Sequence, residues 1–252
     1  MNKLDFWNNR AKLGKLAGTK DLIAKKLEMD AIASYVKPRM KILDFGCGNG
    51  MTAFHIASQF ENVEVIGIDF SEEMIKEAKK LFPHPQIHFM QGDIEALKRH
   101  MIQMGSTFDL IYTERMLINL KNWEEQKEAI ETIGMLLTPN GKYIMCENSW
   151  DSLKQINRFR VKIGLEEITE PWHNHYIRDI DLLTDEPKIV TNTEENHYSS
   201  TYYFLSRVVN AFFAKKCNGE PLYDSDINKL ALELPALNCS FGQGRIWVWE
   251  RK

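Results

Sequence analysis

The chain has 252 residues, 44% of them hydrophobic and 27% charged, with a formal net charge of −3. That length suits one large globular domain or one domain with an elaboration, and the acidic balance argues against a protein built to grip nucleic-acid phosphates. Four cysteines without a Cys-x-x-Cys pair exclude a disulfide scaffold and a common structural zinc site, so a reducing, cytoplasmic setting is expected.

Residues 1–39 are polar at the start, lack the apolar run of a signal peptide, and suit helices that pack before a first strand. From residue 40 to 147, short apolar runs alternate with helical patterns. The runs are 41–46, 63–69, 86–93, 108–113 and 141–148; the helical patterns are 51–60, 72–81, 94–104 and 123–137. Strand, helix, strand at this spacing predicts a parallel α/β sheet. The strand runs are apolar at successive positions, as expected where helices cover both faces. Ser71 is placed to cap a helix whose first turn holds Glu72 and Glu73. Thr138-Pro139-Asn140-Gly141 is expected to stop the preceding helix and turn into the next strand.

Beyond residue 150 the pattern is less regular. Helices are expected at 152–163, 201–217 and 226–234, a weak strand at 189–199, loops with a short helix at 166–186, and a final strand at 244–251. The most apolar stretch, 202–214, is broken by Ser206, Arg207 and Asn210, so no membrane span is expected. The organisation expected is one domain over 1–252, with a helical segment (1–39), a core (40–150), an elaboration (151–240) and a final strand (241–252).

The strongest chemical signal is Asp44-Phe45-Gly46-Cys47-Gly48-Asn49-Gly50, which leaves a strand and opens a helix. Its glycines allow a tight turn and close approach of a ligand to the backbone. A dinucleotide fingerprint needs glycine at position 51, where this chain has Met, and no Gly-Lys-Ser/Thr follows to make a phosphate loop. An acid two residues before the first glycine suits a ligand with a cationic amine and repels a pyrophosphate. Asp69, closing the second strand run, can accept the hydroxyls of an adenosine ribose, and Asp93 with Ile94 closes the third beside an adenine.

These stretches, ILDFGCGNG, VIGIDFSEEMI, QGDIE, FDLIYTE and LLTPNGKYIM, resemble the class I S-adenosylmethionine-dependent methyltransferases over about 110 residues. The resemblance implies a Rossmann-like, seven-stranded, mostly parallel sheet with helices on both faces and an antiparallel strand at the C-terminus. It implies S-adenosylmethionine as cofactor, across the carboxyl ends of the strands. By position, Asp44, Gly46 and Gly48 line its methionine part, Asp69 its ribose, Phe70 and Met74 flank the adenine, and Asp93 and Ile94 hold the far edge. FWNNRAKLGKLAGTKD, TERMLINL and YYFLSRVVNA are similar to methyltransferases of bacterial surface-polysaccharide biosynthesis, which implies a sugar or sugar-derived acceptor.

Acceptor residues are expected just after the fourth and fifth strand runs. Glu114 suits a base that removes the proton of an acceptor hydroxyl; alternatively it pairs with Arg115 or Arg10 and shapes the pocket. His173 is the second candidate base, against a solvent-facing or structural histidine. Arg10 suits the cofactor carboxylate or an acidic acceptor, against a surface helix. Tyr203, Arg207 and Asn210 share a helix face that meets either the acceptor or a structural network with 166–186. Glu114, Glu147 and Asn148 do not define a magnesium site, and no metal is expected. Cys146 has no Pro-Cys neighbour and suits a buried apolar role. The expected function is methyl transfer to a small molecule, more at oxygen than nitrogen, without a nucleic-acid partner. The rivals are N-methylation of a small molecule, RNA or protein methylation, and a cofactor-binding module without transfer. Oligomeric state is not read from the sequence.

Overall fold

The computed structural model describes residues 2–102, 105, 107–237 and 239–252. The last two residues of the helical pattern at 94–104 therefore lie outside the described residues. The apolar runs of the first half form the parallel part of a sheet: β1 (Lys41–Phe45), β2 (Glu64–Asp69), β3 (Ile87–Gln91), β4 (Phe108–Glu114) and β5 (Leu137–Asn148). Two later strands, β6 (Val190–Asn196) and β7 (Gly244–Arg251), complete it. The order is β3-β2-β1-β4-β5-β7-β6, seven strands among the described residues. The first five pair in parallel, whereas β7 runs antiparallel to both β5 and β6.

Alternation along the strands divides the core in two. Leu43, Ile111, Met145 and Trp247 face one side with Ile130 and Ile133 of α6 (Trp123–Met135). Ile42, Leu110, Ile144 and Val248 face the other with Ile32 of α2 (Leu22–Ala33) and Ile56 of α3 (Met51–Gln59). The inner strands β1, β4, β5 and β7 are covered on both faces, which accounts for their runs of successive apolar residues, whereas the edge strands β3 and β6 leave polar positions exposed. Ser71 caps α4 (Glu72–Leu81) as expected, accepting the Met74 amide at 3.1 Å.

Several boundaries differ from the sequence reading: the helix expected at 226–234 ends at Leu230, and the α-helical part of the 94–104 pattern ends at Ala96. Helix α6 ends at Met135, and β5 begins at Leu137, four residues before Gly141. The turn residues are absorbed as an irregularity opposite Phe108–Leu110. A Cβ at Gly141 would fall 2.8 Å from the Phe108 carbonyl oxygen, so glycine permits that close pairing. The helix expected at 201–217 is three joined pieces: α9 (Ser200–Phe204), a wider π-helical stretch (Leu205–Asn210) and α10 (Ala211–Lys216).

Other helices precede and follow the core. At the N-terminus lies α1 (Lys3–Ala11); α5 (Ile94–Ala96) is a single turn after β3. Helix α7 (Trp150–Lys162) follows β5, with α8 (Asp179–Thr184) before β6 and α11 (Asp226–Leu230) before β7. No helix among the described residues is long and apolar enough to cross a membrane.

Candidate active site

The loop between β1 and α3 folds back on the end of β2. The amides of Gly46 and Cys47 donate to the Ile68 carbonyl at 2.7 and 2.9 Å. Gly48 has φ 52°, and a Cβ there would meet no atom within 4 Å, so its outer side opens on free space. The Asp69 carboxylate accepts the Gly48 amide at 2.9 Å and the Ser71 amide at 2.8 Å. Burial raises the Asp69 carboxyl to about 6 against the pull of those two donors.

Asp44 lies in the same hollow and is only 2% exposed. Its Oδ2 has no hydrogen-bond partner among the described residues. Burial pushes the Asp44 carboxyl up to about 8. The neighbouring Tyr112 hydroxyl pulls the other way but does not offset the burial, and a buried carboxyl oxygen without a donor is costly. A cationic amine would supply the missing partner, so the residues present fit an amine-bearing ligand lying against Gly48.

The other residues expected at the cofactor differ in their surroundings. Phe70, directly after Asp69, is 37% exposed. Met74, by contrast, is 2% exposed and packed beneath Trp7, Ala11 and Ala17. Asp93 is exposed and caps α5 through the Ala96 amide at 2.8 Å, while Ile94 packs on the central core. Arg10 donates from Nε to the Ala17 carbonyl (2.7 Å) and from Nη2 to the Leu16 carbonyl (3.0 Å). It thereby ties α1 to the turn that follows. Asn49 holds that turn by donating to the Gly14 carbonyl (2.9 Å), and Ser71 Oγ donates to Asn8 (2.6 Å). The N-terminal segment is thus strapped across the glycine loop.

Glu114 stands at the end of β4, but its carboxylate is engaged. It is ion-paired with Lys25 of α2, accepts the Thr52 hydroxyl at 2.5 Å, and lies 3.4 Å from Arg115. Burial alone would raise its pKa; the charges of Lys25 and Arg115 outweigh that and hold it well below the usual carboxylate range. A carboxylate held this way is a poor proton acceptor, so the base expected at this position is instead the anion of a buried pair. Glu28 completes the cluster, 3.4 Å from Arg115, and its own carboxyl is raised by burial to about 8. Lys25, Glu28 and Thr52 carry no local signal in the sequence; only the fold brings them to Glu114.

Glu147 also turns to a structural task. It accepts the amides of Met116 (3.1 Å), Leu117 (3.0 Å) and Ile118 (3.3 Å), fixing the short turn Leu117–Asn119 after β4. Asn119 in that turn accepts from Trp7 Nε1 and from Asn174, both at 3.3 Å. Asn148 keeps its Oδ1 buried without a partner among the described residues. No group of three or more His, Cys, Asp or Glu among the described residues is arranged to hold a metal.

His173 sits between the N-terminal strap and the Asn119 turn. Its ring lies 4.3 Å from Phe6, 5.8 Å from Trp7 and 5.3 Å from Trp172, centroid to centroid. Nδ1 is buried without a partner among the described residues. Burial, then the charges of Lys3 and Arg10, lower its pKa below the ordinary histidine value. Among the described residues, the side chains of Arg207 and Asn210 on the later helix hydrogen-bond elsewhere than 166–186. Arg207 donates to Asp21 at 2.6 Å and lies over the rings of Tyr203 and Tyr223, and Asn210 donates to the Leu222 carbonyl at 3.0 Å. Asp21 in turn caps α2, the helix that carries Lys25.

A methyltransferase-domain family model matches residues 36–204. Malonyl-[acyl-carrier protein] O-methyltransferase of Halalkalibacterium halodurans is 30% identical over 102 residues, covering 40% of this chain and 36% of that protein. Demethylmenaquinone methyltransferase of Lysinibacillus sphaericus is 30% identical over 132 residues, covering 50% and 53%. The matched stretches thus span only 36% and 53% of those relatives' lengths. Magnesium protoporphyrin IX methyltransferase from Synechocystis PCC 6803, solved with bound SAM, shares the fold at a TM-score of 0.53 and 16% identity, over 92% of this chain and 83% of that one. The chain belongs to the methyltransferase-domain family, within the class I S-adenosylmethionine-dependent methyltransferases.

Proposed function

We propose that this chain transfers the methyl group of S-adenosylmethionine to a hydroxyl of a small-molecule acceptor, a sugar or sugar-derived precursor of surface polysaccharide. The carrying observation is the buried Asp44 carboxyl, whose Oδ2 has no hydrogen-bond partner among the described residues, next to the glycine loop in which Gly48 opens on free space. Asp44 accepts the cofactor's amine, and Asp69 holds the ribose with the lone pairs its two amide donors leave free. Phe70 lies against the adenine, with Asp93 and Ile94 at its edge. Arg10 acts on the cofactor indirectly, by fixing the strap that covers it. The bound cofactor supplies a methyl carbon activated by its sulfonium.

His173 takes the acceptor's hydroxyl proton on its imidazole ring. A neutral imidazole is the form that accepts a proton, and the lowered pKa keeps it neutral near pH 7. Three aromatic rings fix its orientation, and the strap excludes water. A small-molecule acceptor is supported by the likeness to demethylmenaquinone methyltransferase. The sugar class rests on the resemblance of three stretches outside the cofactor motifs to surface-polysaccharide methyltransferases.

The test is transfer of a labelled methyl group from S-adenosylmethionine into a metabolite extract of the native host, read by mass spectrometry. A labelled O-methyl product is expected with the full chain, and His173→Gln should form it far more slowly. Label on nitrogen, or the same rate from both proteins, would refute the respective part of the reading.

A further inference from the structure

The mouth beside His173 has an unusual composition. Trp172 is 60% exposed, yet its ring stands edge-on to Phe6 at 5.7 Å and to His173 at 5.3 Å. The exposed indole is therefore buttressed by two neighbouring rings. Two cations flank the same rings. Lys3 donates to the Asn119 carbonyl at 2.5 Å, and Arg10 donates to the carbonyls of Ala17 and Leu16. Neither forms an ion pair among the described residues, and Arg10 Nη1 has no protein acceptor there. The acid whose charge reaches Lys3 is Glu125, without pairing to it, and the charge that reaches Arg10 is the like charge of Arg115. Both cations are partly desolvated and held on neutral carbonyls. A partly buried cation without a counter-ion favours an anion brought by a ligand.

We infer that this mouth is an acceptor subsite for a ring-bearing anion, with the ring against Trp172 and Phe6 and a carboxylate or phosphate toward Lys3 and Arg10. Buttressed exposed aromatic rings offer a flat apolar face at small entropic cost. The cations supply charge complementarity and draw an acidic acceptor toward His173. The inference rests on the methyl-transfer reading and narrows it, because it assigns the acceptor a negative charge. Carboxylate and phosphate carriers meet the same groups, and the mass of the product separates them.

The test uses the full chain, methyl-labelled S-adenosylmethionine and a host metabolite extract, with the products passed over an anion exchanger at pH 8. The labelled product should bind the exchanger. With that product's precursor as substrate, Trp172→Ala should raise the acceptor KM about tenfold, and Lys3→Gln should raise it severalfold, with cofactor affinity retained in both. Trp172 is largely exposed, so its truncation leaves the fold intact. A labelled product that passes the exchanger unbound overturns the inference and leaves methyl transfer standing. An unchanged KM in both variants overturns it as well. A chain that binds S-adenosylmethionine yet labels nothing overturns the methyl-transfer reading and this inference together.

Discussion

Lys25 of α2 and Glu114 at the end of β4 form an ion pair sealed inside the protein, with side chains 12% and 6% exposed. The pair ties the segment before the first strand to the carboxyl edge of the sheet, where methyl transfer would occur. A buried charge that loses its partner is strongly destabilising, by about 3–5 kcal/mol. Glu114→Gln leaves the Lys25 ammonium beside a neutral amide and should lower unfolding stability by an amount in that range, read from denaturant melts. Lys25→Met combined with Glu114→Leu removes both charges and should recover a large part of the loss. A Glu114→Gln protein as stable as the parent would show that the pair contributes nothing.

The Asp44 carboxyl, raised from 3.8 to about 8, makes two pH predictions. Between those values the folded chain keeps a proton that the unfolded chain has released. The contribution of this group to ligand-free stability is therefore complete below about pH 4 and is lost as pH rises to about 8, with no further change above. Asp44→Asn should abolish that slope. An arriving ammonium favours the carboxylate, so cofactor binding below pH 8 should release a proton from Asp44. Titration calorimetry in buffers of different ionisation heat measures the release directly, and an observed heat independent of the buffer would contradict it.

His173 makes the opposite acid prediction. Its pKa is lowered, so the folded chain binds the proton less readily than the unfolded chain. Its contribution to stability is present above the ordinary histidine value, about 6.5, and is lost as pH falls through the folded pKa. Activity should follow the neutral ring and decline on the acid side, with a midpoint below 6.5. His173→Gln should cut the turnover rate by about 10²–10⁴-fold with little change in cofactor affinity. A pH-rate profile left unchanged by the substitution would remove His173 from the chemistry.

The architecture was legible because the physics behind it is local. Strands buried on both faces show as unbroken apolar runs, and the final strand lies where Ile246, Val248 and their neighbours indicated. The glycine loop announced itself through Asp44, Gly46, Gly48 and Gly50 together. The surroundings of Glu114 were not legible. Lys25 and Glu114 are 89 positions apart, and a lysine on a mixed helix looks the same whether it meets solvent or a buried acid. Met74 sits under the strap for the same reason, since its cover comes from Trp7, Ala11 and Ala17. The break in the 200–216 helix was also hidden, because six residues of π-helix shift the apolar face too little to show as a change of period.

Gly48 separates ligand approach from backbone stability. At φ 52° an alanine costs about 1 kcal/mol, but its methyl group meets no protein atom. Gly48→Ala should therefore melt only slightly earlier than the parent while losing most of its affinity for S-adenosylmethionine, as read by calorimetry. Equal affinity would place the cofactor elsewhere.

The account stands on the hollow formed by Asp44, Gly48 and Asp69, and titration of the full chain with S-adenosylmethionine and, in parallel, with NAD tests it most directly. Saturable binding of S-adenosylmethionine in clear preference to NAD is predicted. Asp44→Asn and Asp69→Ala should each weaken it by about 1.5–3 kcal/mol, the range for hydrogen bonds to a charged group, or roughly 10–150-fold. Equal affinity for the two ligands, or binding of S-adenosylmethionine that survives both substitutions unchanged, would contradict the account.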